Sequence, residues 1–62
     1  MTAEDSLRRA EELMERLEQT RAKLEATSDP DAAIEVLSEL AQIAKDVEAA
    51  LSQAKREADA QA

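Results

Sequence analysis

Apolar residues recur at three- and four-residue steps along two stripes of this chain, Leu7, Ala10, Met14, Leu17, Leu24 and Ala33, Leu37, Leu40, Ala44, Val47, Leu51, Ala54. A single turn signal, Ser28-Asp29-Pro30-Asp31, parts them. Such spacing keeps apolar side chains on one face of a 3.6-residue helix, so the pattern predicts two helices folded back on each other. The chain has no glycine and one proline, and strong helix formers make up most of it.

The spacing predicts helix one over about 3–26, a turn over about 27–30 and helix two over about 30–59, all within one domain. Thr2 suits the N-cap of the first helix, with Asp5 in its first turn near the positive end of the helix dipole. Asp29 suits the N-cap of the second, followed by Pro30 at the first helical position and by Asp31 and Glu35. In heptad terms helix one places Ala3, Ala10, Leu17 and Leu24 at one seam position and Leu7, Met14 and Arg21 at the other, with Leu13 flanking. Helix two places Leu37, Ala44, Leu51 and Ala58 at one and Ala33, Leu40, Val47 and Ala54 at the other. Val36, Ile43 and Ala50 flank one side of that seam, and Ile34 and Ala41 the other.

An apolar face this broad, near half the cylinder, needs more than one neighbouring helix. The expected fold is therefore all-α, an antiparallel two-helix hairpin associating into a four-helix or larger bundle. The interface is expected from Leu7, Met14, Leu17, Leu24, Ile34, Leu37, Leu40, Ile43, Val47 and Leu51. Lengths of ~36 Å and ~45 Å at 1.5 Å per residue predict that helix two overhangs its partner, over roughly Ser52 to Asp59. Arg21 on the seam either sets register by pairing with Glu39 or Glu35 across the hairpin, or snorkels at the hairpin end. The spacings Glu4–Arg8, Asp5–Arg9 and Glu12–Arg16 are ordinary helix-stabilising pairs.

Chemistry is bounded by what is missing. The chain has no cysteine and no histidine, which removes a disulfide staple, the usual transition-metal ligands and the commonest general base, so no enzyme and no cofactor are expected. Glu11/Glu15 and Glu35/Glu39 are carboxylate pairs one turn apart, but bundle di-metal sites add a Glu-x-x-His element, and the pairs read as solvated surface. Eight basic against fifteen acidic residues give a net charge of −7, which repels phosphate backbones, and there is no aromatic residue for base stacking. No nucleic-acid partner is expected. No apolar run is long enough to span a bilayer, and Met1-Thr2-Ala3-Glu4-Asp5 lacks the basic start of a signal peptide, so a cytoplasmic location without membrane contact is the expectation. Charge is uneven: residues 1–27 sum to −2 and residues 28–62 to −5, which suits a basic partner surface on the second helix.

The stretch Asp31-Ala32-Ala33-Ile34-Glu35-Val36-Leu37-Ser38-Glu39-Leu40-Ala41-Gln42-Ile43-Ala44-Lys45, continued by Leu51-Ser52-Gln53-Ala54, resembles the small subunit of bacterial exodeoxyribonuclease VII. The acidic start, Ala33-Ile34, the apolar middle and the Ala44-Lys45 step match in order. Upstream, Lys23-Leu24-Glu25 and a short loop with Pro30 look like that family's hairpin turn, so the likeness covers roughly residues 16–56. It implies a non-catalytic accessory subunit whose helices join a large catalytic subunit that degrades single-stranded DNA. From the residues alone, the expected partner is a second copy, a dimer first of all, or a larger protein. The stand-alone alternative is a self-associating hairpin scaffold, natural or engineered, with no ligand.

Overall fold

The computed structural model describes residues 2–61 and contains two α-helices, α1 (Ala3–Ala26) and α2 (Pro30–Gln61), packed as an antiparallel hairpin. No strand occurs among the described residues. The Cα extents are 49 × 14 × 12 Å, a rod whose length is that of α2, ~48 Å for its 32 residues. The radius of gyration, 14.5 Å, exceeds the ~10.6 Å of a compact chain of this length, so much of the chain lies at the surface.

Local chemistry sets the helix ends. At the start of α1 a capping box closes: the Asp5 amide donates to the Thr2 hydroxyl at 3.2 Å and the Thr2 amide donates to the Asp5 carboxylate at 3.3 Å. The helix stops at Thr27, which turns extended (φ −92°, ψ 120°) while its amide donates to the Leu24 carbonyl at 3.1 Å and its hydroxyl to the Lys23 carbonyl at 2.6 Å. Asp29 then caps α2, accepting from the Ala32 amide at 3.0 Å, and Pro30 takes the position where a missing N–H costs nothing.

The helices meet along a seam rotated from the expected one. On α1 it runs Ala3, Ser6, Ala10, Leu13, Leu17, Thr20, Leu24, and on α2 Ala33, Val36, Leu40, Ile43, Val47, Ala50, Ala54, Glu57, all buried or partly buried. Ala10, Leu13 and Ala50 form the buried centre, with Val47 packed against it. Leu7, Met14 and Arg21 give way to Ser6, Leu13 and Thr20. Likewise Leu37, Ala44, Leu51 and Ala58 give way to Val36, Ile43 and Ala50. The reason lies in the hydroxyls. Thr20 donates to the Arg16 carbonyl at 2.8 Å and Ser6 donates to Glu57; a hydroxyl bonded this way enters a seam at little desolvation cost, leaving the branched Val36 and Ile43 to fill it.

The overhang also lies at the other end. Ser6 faces Glu57 and Ala54 is buried, so Ser52–Asp59 packs beside the start of α1. At the turn, Lys23 meets Glu39; Lys23 lies three residues before the end of α1 and Glu39 nine after the start of α2. The second helix therefore begins about six residues, ~9 Å, beyond the first, and Ile34 there is 64% exposed. The extended link Thr27–Asp29 supplies that rise.

Candidate interaction surface

An antiparallel helix pair has two faces, one where the heptad g positions of both helices meet and one where the e positions meet. On this hairpin the two differ in chemistry. The g face carries Arg9, Arg16 and Lys23 from α1 opposite Glu39, Asp46 and Gln53 from α2. Lys23 and Glu39 approach to 3.6 Å there, with both side chains more than half exposed, a contact worth little in water. A shallow groove on this face has the buried Ser6, Leu13 and Ala50 at its floor and Arg9, Asp46 and Gln53 along its rims.

The e face is apolar. Leu7 and Met14 from α1 and Leu37 and Leu51 from α2 occupy e positions, with Ile34 beside them, and these five side chains are 45–64% exposed. With Ser6 opposite Glu57, Leu51 sits level with the gap between Leu7 and Met14. Ala41 and Ala44, both exposed, occupy the middle of the rod, and Leu37 and Ile34 lie toward the turn. The apolar set is continuous along α2. On α1 it is bordered by a row of exposed glutamates one heptad apart, Glu4, Glu11, Glu18 and Glu25.

Arg21 stands beside this row, at the e position that follows Leu7 and Met14. Its Nε and Nη2 donate to both oxygens of Glu18 at 3.0 and 2.8 Å, and its Nη1 donates to Glu25 at 2.9 Å. The guanidinium therefore pairs on its own helix and not with Glu39 or Glu35; Lys23 takes Glu39 instead. Its hydrogen bonds hold the Glu18 carboxyl below the usual range and push Arg21 itself up. At the start of α1 the Asp5 carboxyl is likewise held down, first by the Thr2 amide and then by the Thr2 hydroxyl. Arg8 reaches Asp5 at 3.7 Å, one residue short of the expected four-residue step.

The ten residues expected at an interface thus divide in two. Leu17, Leu24, Leu40, Ile43 and Val47 lie inside the hairpin, and Leu7, Met14, Ile34, Leu37 and Leu51 lie outside it. Leu13 and Val36, absent from that set, are among the buried residues of the inner seam; their signal was the seven-residue repeats Ser6-Leu13-Thr20 and Val36-Ile43-Ala50. Glu11, Glu15, Glu35 and Glu39 are all exposed. Among the described residues no group of three or more acidic side chains is placed to hold a metal ion, and no helix is both long and apolar enough to cross a membrane. No protein-family model, no curated protein and no solved structure matches this chain.

Proposed function

We propose that this chain is a non-catalytic helical interaction subunit that docks on other helices through its e face. The observation that carries the reading is the division of the surface. One face of the hairpin is charged, and the other concentrates Leu7, Met14, Ile34, Leu37 and Leu51 in water. A contiguous apolar strip on so small a chain is a binding surface or an aggregation liability, and a hairpin with neither disulfide nor metal has little core of its own to rely on. Helices are the natural occupant, since the strip follows the pitch of α2 and contains no aromatic anchor.

Sedimentation equilibrium from about 1 μM to 1 mM, with circular dichroism at each concentration, tests this against the Leu51→Lys variant. Association that raises helicity in the wild type and is lost in the variant supports docking. If the wild type alone is weakly helical and monomeric, the large subunit of exodeoxyribonuclease VII is the first partner to add, given the likeness of Asp31–Lys45, and Leu51→Lys is expected to abolish that binding. A fully helical wild-type monomer at 1 mM, with stability unchanged by Leu51→Lys, overturns the proposal.

A further inference from the structure

We infer that the occupant of the e face is a second copy of this chain, laid antiparallel so that α2 packs on α2 about a two-fold axis at Ala44, with the two turns at opposite ends. This rests on the docking role proposed above and adds the partner and its geometry.

A two-fold contact requires that residue i meet j while j meets i. The exposed e positions of α2 meet that condition: Leu37, Ala44 and Leu51 read the same from either end, one heptad apart. With Ala44 on the axis, Leu37 of each copy falls opposite Leu51 of the other, and the two alanines let the backbones approach where they cross. Ala44 also lies within two residues of the midpoint of α2, so two such rods overlap over nearly their whole length. Leu7 and Met14 sit level with Leu51 and extend each Leu37–Leu51 contact sideways onto α1.

Charge selects α2 as the centre. Stacking α1 on α1 would oppose the two rows Glu4, Glu11, Glu18 and Glu25, whereas the same face of α2 carries Ile34, Ala41, Glu48 and Lys55 at the matching positions. The first helices therefore splay apart and keep their glutamates in water, with Arg21 held by Glu18 and Glu25 at the rim. The strip from Ile34 to Ala58 is ~36 Å long and roughly one helix wide, ~10–15 Å. It offers about 450 Å² per copy, ~900 Å² in all, below the ~1,200 Å² at which stable specific interfaces begin and in the class of weak, transient contacts.

The chain has no cysteine, so a spin label on Ser28→Cys, in the turn and away from the strip, reports the geometry without interference. Pulsed dipolar spectroscopy at about 100 μM is expected to give an intermolecular distance near 35 Å, from the rise between the turn and Ala44 in each copy. Adding Leu37→Lys, which removes two contacts per dimer, is expected to weaken association at least ~100-fold and abolish that distance. A distance below about 20 Å places the turns at one end and overturns the inference. Monomeric sedimentation at 100 μM with no intermolecular distance also overturns it. The docking role itself falls only if that monomer is fully helical and indifferent to Leu51→Lys.

Discussion

Replacing Leu13 with alanine is expected to remove most of the hairpin's stability. Leu13 is 2% exposed and sits among Ala10, Ala50 and Val47. The substitution deletes three carbons, which at about 0.8 kcal/mol per buried methylene is ~2.4 kcal/mol of transfer free energy. A residual cavity adds to this, but a two-helix seam is open on both faces and collapses easily, so the total should stay near the lower end of the range for leucine truncation, about 2.5–3 kcal/mol. A hairpin of this size has only ~3–5 kcal/mol to lose. Urea titration followed at 222 nm, at one fixed protein concentration because association adds to apparent stability, should show the midpoint falling by more than half with an unchanged slope. The matching Leu7→Ala variant removes the same carbons from a half-exposed position and should cost about 1 kcal/mol under conditions where the chain is monomeric. A loss below 1 kcal/mol for Leu13→Ala, or one no larger than for Leu7→Ala, would refute an inner seam centred on Leu13.

Two further outcomes follow from the ends of the rod. Because the Asp5 and Glu18 carboxyls are held below their ordinary values, their contribution to stability is present above the unfolded-state range near pH 4 and is lost as pH falls through the folded values. Carboxyl NMR titration should find Asp5 below 3.8, with Thr2→Ala moving it up toward that ordinary value; an Asp5 titration unmoved by Thr2→Ala would contradict the capping box. Ser6→Ala leaves Glu57 without its seam donor and should cost about 1 kcal/mol in the same urea titration, whereas a neutral or stabilising result would mean that the hydroxyl plays no part in closing this end.

The hairpin was legible in the sequence because its signals are local. Asp29-Pro30 pairs an N-cap residue with the residue favoured at the first helical position, Thr2 and Asp5 have the capping spacing, and the absence of glycine leaves nothing to interrupt either helix. The rotation of the helices was not legible, because it depends on a comparison that no local signal decides. Leu7 and Leu13 are both leucines at heptad spacing from other apolar residues, and choosing between them turns on whether Ser6 and Thr20 count as polar. Bonded to Glu57 and to the Arg16 carbonyl, they do not. The end at which α2 overhangs was hidden for a related reason, since it is set by how far the extended link at Thr27 climbs before Asp29 caps the next helix.

The rotation and the overhang together shape the surface. At the open end the seam positions are held by the small residues Ala3, Ser6, Ala10, Ala50 and Ala54, and the large side chains Leu7, Met14 and Leu51, one position over, emerge on the e face. At the turn end the overhang leaves Ile34 beyond the last turn of α1, and Leu37 lies level with that last turn on the e face. The apolar strip is thus a consequence of how the inner seam packs, with bulk at both ends of α2 and alanine in the middle. Such a distribution reads the same in its reversed copy. A parallel copy would match the same leucines but would set Glu48 against Glu48 and Lys55 against Lys55 beside them, whereas the reversed copy brings Lys55 near Ile34 and Glu48 near Ala41, so the residues flanking the strip select the orientation in which a second chain covers it.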